Sequence, residues 1–136
     1  MAPFEFIVLG PPLSLQTKNR KRLQAWKKKA RAAAAGRWKK RKRTKPLTGA
    51  VTIEICYYFD RASPDVDNII KPIQDALIGL VYVDDKQVVN ASSRKRNINH
   101  AFRVRWMSAV LASGFVAGED FLHVTVATWG DLKDIK

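Results

Sequence analysis

Cysteine is almost absent from this sequence: Cys56 is the only one in 136 residues. An intrachain disulfide is therefore excluded, and Cys56, inside Ile-Cys-Tyr-Tyr-Phe, reads as a small core residue rather than a reactive thiol. Histidine is nearly as scarce. His100 and His123 show no metal-ligand spacing and read as structural. The chain has no zinc pattern, no Ser-His-Asp set, no glycine-rich phosphate loop and no internal repeat. It also lacks a run of about 18 apolar residues. Its start, Met-Ala-Pro-Phe-Glu, has neither the basic nor the apolar part of a signal peptide. A soluble, cytoplasmic protein without a membrane partner is expected.

Acid is the other shortage. Twelve Asp and Glu face 25 Lys and Arg, for a net charge of +13. The imbalance is local. Lys18 to Lys45 holds fifteen bases and no acid, whereas the remaining 108 residues hold ten bases and twelve acids, a net of −2. A mildly acidic domain thus carries one basic segment at about 18–45. Such a segment suits a polyanion: nucleic acid first, an acidic lipid surface as the rival. The apolar fraction of 46%, with four Trp and six Phe, is enough for a packed core. The length fits one domain spanning 1–136.

Along the chain, Phe4 to Leu9 reads as a strand closed by Gly10-Pro11-Pro12. Thr17 could cap a helix to about Ala35, with Leu23, Trp26, Ala30 and Ala34 on one face and Gly36 as its stop. Trp26 fits that core stripe; Trp38 falls in the basic connector 37–46 and could stack on a base. Residues 50–60 alternate as a clear strand. A helix from about Asn68 to Ile78 buries Ile69, Ile70, Ile73, Leu77 and Leu80, with Pro72 in or near its first turn and Gly79 as C-cap. Val81–Val83 and Gln87–Ala91 read as strand pieces around an Asp84-Asp85 turn. Ile98–Trp106 reads as a strand, Ser108–Ser113 as a short helix, and Phe121–Thr128 as a last strand. The expected class is α+β (mixed α/β), with one mixed sheet and helices packed against it.

The chemistry concentrates between Asp65 and Asp85. Asp65 and Asp67 are two residues apart, so in extended backbone their carboxylates share a side. Lys71, Asp75, Asp84 and Asp85 follow. Two unit charges about 4 Å apart repel by about 4 kcal/mol at an effective dielectric near 20. A gathered set must therefore protonate or hold a cation. Mg²⁺ suits carboxylate oxygens and can activate phosphodiester hydrolysis. A neighbouring lysine could stabilise transition-state charge. The same residues also read as ordinary features. Asp-x-Asp-Asn is a helix N-cap pattern, with Asn68 as a cap, and Asp84-Asp85-Lys86 is a turn signal. Asp75 and Lys71 each read, singly, as surface charges. Spacing alone leaves both readings open.

The combination is more specific. From Asp65 the chain runs Asp-Val-Asp-Asn-Ile-Ile-Lys-Pro-Ile-Gln-Asp-Ala-Leu-Ile-Gly-Leu-Val-Tyr-Val-Asp-Asp-Lys-Gln-Val-Val. This resembles the core motif of the RusA family of Holliday-junction resolvases: Asp-x-Asp-Asn, Lys, Asp-Ala-Leu, Asp-Asp and Gln-Val in order. Gly10 to Ser14 resembles that family's N-terminal loop. The resemblance implies a homodimeric, Mg²⁺-dependent endonuclease on branched DNA, with Mn²⁺ able to substitute. It implies Asp65, Asp67 and Asp85 as metal ligands, Lys71 as an essential basic side chain, and Asn68, Asp75 and Asp84 in support. Symmetric cleavage of a four-way junction calls for two sites on a two-fold axis. Candidate DNA contacts are Lys18, Arg20, Lys21, Arg22, Lys27, Lys28, Lys29, Lys39, Lys40, Arg41, Lys42 and Arg43, with Arg94, Lys95 and Arg96 beyond the motif. The alternatives are a branched-DNA-binding protein without catalysis, and a nuclease for flaps or forks using the same site.

Overall fold

A computed structural model describes residues 3–12, 18–60, 69–98 and 107–128. Its elements are β1 (Phe4–Leu9), α1 (Arg20–Trp38), β2 (Val51–Phe59), α2 (Ile70–Leu77), a 3₁₀ turn (Asp85–Gln87), β3 (Val88–Asn97), α3 (Ala109–Ala117) and β4 (Phe121–Thr128). The strands form one sheet in the order β1-β4-β2-β3. β4 runs antiparallel to both its neighbours, and β2 and β3 are parallel. A parallel pair needs a crossover, and α2 lies in the segment that makes it. The result is the mixed sheet with packed helices expected of an α+β chain.

Alternation explains which helix covers which face. Phe4, Phe6 and Val8 of β1, Val51, Ile53, Ile55 and Tyr57 of β2, and Leu122, Val124 and Val126 of β4 form one buried layer. Against it pack Trp26, Ala30, Ala34 and Trp38 of α1, together with Ile69, Ile73, Ala76 and Leu77 in and beside α2. The opposite face carries a smaller cluster: Cys56, Tyr58 and Phe121 under Leu111 of α3. Helices thus lie on both faces of β2, and its odd and even positions are both buried apart from exposed Glu54 and half-buried Phe59. Burying a Leu or Ile side chain contributes roughly 1.5–3 kcal/mol, so the first layer dominates stability. Cys56 is free and buried, as expected.

Several boundaries differ from the sequence reading. The cap of α1 is Asn19, whose side chain accepts from the Arg22 N–H at 3.0 Å; Thr17 lies outside the described residues. Gly36 does not stop α1. Trp38 prolongs the stripe by four residues after Ala34, is 1% exposed, and packs edge-on against Phe4 at 4.9 Å. Its Nε1–H donates to the Thr44 carbonyl at 2.9 Å, fixing the connector after the helix. That burial outweighs the small helix penalty of one glycine. Trp26 is buried as well, so neither tryptophan is a base-stacking platform.

β3 is a single strand from Val88 to Asn97, where only a short piece to Ala91 is expected. Its second half, Ser-Ser-Arg-Lys-Arg-Asn, has little strand propensity and is held by its ladder with β2. Val81–Val83 is not a strand; Tyr82 makes isolated bridges to Leu47 and Ile78. α3 passes through Gly114, where a Cβ would sit 2.4 Å from the Phe121 ring, and ends at Gly118 with φ +75°. Pro72 sits in the first turn of α2, where no intrahelical N–H is needed. The expected strand from Ile98 to Trp106, with His100, falls on residues 99–106 outside the described set.

Candidate active site and nucleic-acid surface

α2 presents two opposed faces. Ile73, Ala76 and Leu77 go into the core, while Lys71 and Asp75, one turn apart, lie on the outer side. Lys71 Nζ is 3.1 Å from Asp75 Oδ1 and 2.7 Å from Asp85 Oδ2. Residues separated by fourteen positions thereby meet at one ammonium. Asp75 is not the solvated surface acid that its position suggests: its second oxygen, Oδ2, receives Lys27 Nζ of α1 at 3.2 Å. The charges run Lys27–Asp75–Lys71–Asp85, alternating in sign.

The turn that carries Asp85 is built with care for its backbone donors. Asp84 caps the 3₁₀ segment through its side chain, and Gln87 answers from the third position. Gln87 Oε1 accepts from the N–H groups of Val83 and Asp84, both at 2.9 Å. Its Nε2 donates to the carbonyls of Leu47, at 2.7 Å, and Gly49, at 2.8 Å. One side chain therefore ties the Asp85 turn to the segment entering β2. Beneath it, the buried Tyr82 hydroxyl donates to the Gln74 carbonyl at 2.7 Å, joining the turn to α2. Neither role was read from the sequence. The Asp84-x-x-Gln87 spacing, a capping-box signature, was the signal for the first.

Electrostatics follow from these contacts. The Lys71 ammonium holds the Asp85 carboxyl below its ordinary range. Asp85 and then Asp75 raise the Lys71 pKa above its ordinary value. Burial raises the Tyr82 hydroxyl pKa, and the nearby Asp75 and Asp85 add to it. Asp85 is thus an ionised oxygen donor, about one-third exposed, the kind of ligand a hard divalent cation takes. Among the described residues no group of three or more Asp, Glu, His or Cys is placed to hold a metal. Asp65, Asp67 and Asn68 lie outside the described residues. The described part of the site brings Lys71, Asp75 and Asp85 together, with Asp84 turned to its own backbone.

The basic residues divide into two kinds. Lys18, Arg20, Lys21, Arg22, Lys28, Lys29, Lys39, Lys40, Lys42 and Arg43 are exposed on and around α1. Arg94, Lys95 and Arg96 are exposed on β3, an edge strand of the sheet. Lys27 differs from its neighbours because it is directed at Asp75. Arg31, not among the expected contacts, donates to the Ala76 and Ile78 carbonyls at 3.1 and 2.6 Å, closing the C-terminus of α2. Arg41 stacks over the Trp38 ring at 4.1 Å. On the far face His123 Nε2 lies 2.9 Å from Glu5 Oε1, which also accepts from the Ser108 hydroxyl. Burial works against the Glu5 charge, but these two partners outweigh it and lower its pKa. That histidine serves the packing between β1, β4 and α3.

Among the described residues no helix is long and apolar enough to cross a membrane. No curated protein matches the chain. A family model, Endodeoxyribonuclease RusA, matches residues 13–105. That span takes in α1, β2, α2, the Asp85 turn and β3, and so every group placed around Lys71. The match covers more than half of the chain, and the chain belongs to the RusA family of endodeoxyribonucleases, enzymes that resolve Holliday junctions.

Proposed function

We propose that the protein resolves Holliday junctions by metal-dependent, paired symmetric nicking, as a homodimer in the cytoplasm, with residues 1–136 working as one domain. The observation that carries this reading is the convergence of Lys71, Asp75 and Asp85 across fourteen positions of the motif. Asp65, Asp67 and Asp85 are the proposed ligands of Mg²⁺, with Mn²⁺ as a substitute. The cation would supply Lewis-acid polarisation of the scissile phosphate. The donor chemistry fits it: carboxylate oxygens only, of which Asp85 is ionised.

The chain's own residues do the rest. Lys71 places a positive charge next to Asp85, where it can neutralise charge building on a bound phosphate. Asp75 fixes the direction of that ammonium, and Asp84 with Gln87 fixes the turn. The exposed bases of α1, the following connector and β3 contact backbone phosphates, which sets position on the duplex and not sequence. A two-fold pair of such sites would deliver the two nicks.

The test is cleavage of a labelled synthetic four-way junction against linear duplex, with Mg²⁺ and with EDTA. Paired nicks requiring both the junction and the metal are expected. Asp67→Asn should abolish them while junction binding stays intact. Equal cleavage of flaps or forks would move the substrate assignment, and cleavage in EDTA would sink the metal assignment.

A further inference from the structure

Within the run Lys27-Lys28-Lys29, adjacent lysines have different surroundings. Lys27 Nζ is 3.2 Å from Asp75 Oδ2, and its side chain is 19% exposed. Lys28 is exposed to solvent. The position of Lys27 is fixed from both sides, by buried Trp26 before it and buried Ala30 after it. One turn on, Arg31 holds the Ala76 and Ile78 carbonyls, so α1 grips α2 at two successive turns.

We infer that Lys27 is a positioning residue for cleavage rather than a DNA contact. Asp75 has two oxygens and two lysine partners. With Oδ2 taken by Lys27, Oδ1 alone faces Lys71, and Lys71 keeps its shorter bond to Asp85. Without Lys27, Asp75 would have a single cationic partner among the described residues. Its carboxylate could then turn both oxygens toward Lys71 and draw that ammonium off Asp85. A basic helix on the DNA side would in this way set the geometry of the reaction centre through one carboxylate. The inference rests on the proposal that Lys71 and Asp85 belong to that centre.

The experiment measures two quantities on the full-length protein: the single-turnover cleavage rate of fully bound junction, and the salt dependence of junction affinity. Lys27→Met keeps the aliphatic stem and removes the charge. It is expected to slow cleavage of bound junction about tenfold, in the range of coupling within one charge network. Affinity and the salt slope should stay at their original values. Lys27→Arg should restore the rate to within about threefold, because a guanidinium can still reach Asp75. In an Asp75→Asn background, Lys27→Met should add little further loss. Lys28→Ala should instead weaken binding and reduce the salt slope by about one.

A lowered salt slope in Lys27→Met with an unchanged rate once bound would overturn the inference and make Lys27 an ordinary phosphate contact. So would a rate loss that Lys27→Arg fails to rescue while thermal melts show the fold intact. Lys71→Ala and Asp85→Asn separate the two levels. If both still cleave, the site assignment itself is wrong. If both are dead and Lys27→Met cleaves normally, only the positioning role falls.

Discussion

The cations of this protein fall into two populations that behave differently although both are represented on α1. Lys27 and Arg31 of α1, and Lys71 of α2, each bond to oxygen atoms of another element at 2.6–3.2 Å. Lys18 to Arg22, Lys28 and Lys29 on α1, and most of Lys39 to Arg43 after it, are exposed. The first group sets geometry, and each member matters by where it points. The second supplies field, and its members matter by number. Net charge, dominated by the second group, says nothing about the first.

Mutations should separate the two populations sharply. Lys71→Ala is expected to have the largest effect, a loss of about a hundred- to a thousandfold in cleavage rate with junction affinity nearly unchanged, read by single-turnover kinetics and gel shift. Neutralising Lys39, Lys40, Lys42 and Arg43 together should do the opposite. Affinity should already be weak at moderate ionic strength, and the slope of log K against log salt should become shallower by up to about 3–4. An unchanged slope would mean that this run does not meet DNA.

Gln87→Ala should remove the clamp between the Asp85 turn and residues 47–49. A loss of about 1 kcal/mol in unfolding free energy is expected from urea titration, because of its four backbone bonds only that to the Leu47 carbonyl is partly buried. Gly36→Ala should add roughly 0.5–1 kcal/mol, because α1 runs through that exposed position and a Cβ there would touch nothing within 4 Å. Its salt slope should not move.

The pH response follows the same division. The Asp85 pKa is lowered from 3.8, so the stabilisation from its charge is present above that value and is lost as pH falls through the lower folded-state pKa. The Lys71 pKa is raised from 10.5, so its contribution is present below that value and is lost as pH rises through the higher folded-state pKa. The pair is fully charged over roughly pH 5–9. Stability should be flat there as far as this pair is concerned, and a bend in Tm near neutrality that vanished in Lys71→Ala would contradict the assignment.

How legible this was from sequence depends on what held each part in place. β2 and α2 were readable because their own periodicity decides which side is buried. β4 was readable for the same reason. The end of α1 was misread because Gly36 is a strong local stop signal, whereas the deciding contact, Trp38 on Phe4, joins residues 34 positions apart. Most of β3 was missed because an exposed strand rich in Ser, Arg and Asn borrows its conformation from the neighbouring β2 ladder. At the site, the motif showed which acids to suspect. It could not show that Asp75 is shared between two helices, because Lys27 lies 48 positions away.

The Gln87 clamp bears on the order in which the molecule can assemble. Residues 65–89 look like a self-sufficient cassette, a compact stretch that could be cut out and grafted. The turn holding Asp85 is closed instead by carbonyls 38 and 40 positions upstream, at Gly49 and Leu47. Closing a loop of that length is entropically costly and must wait for the chain around β2 to be in place. A peptide beginning at residue 50 would carry the whole motif yet lack both acceptors. The smallest unit able to present Asp85 with this clamp therefore begins before β2.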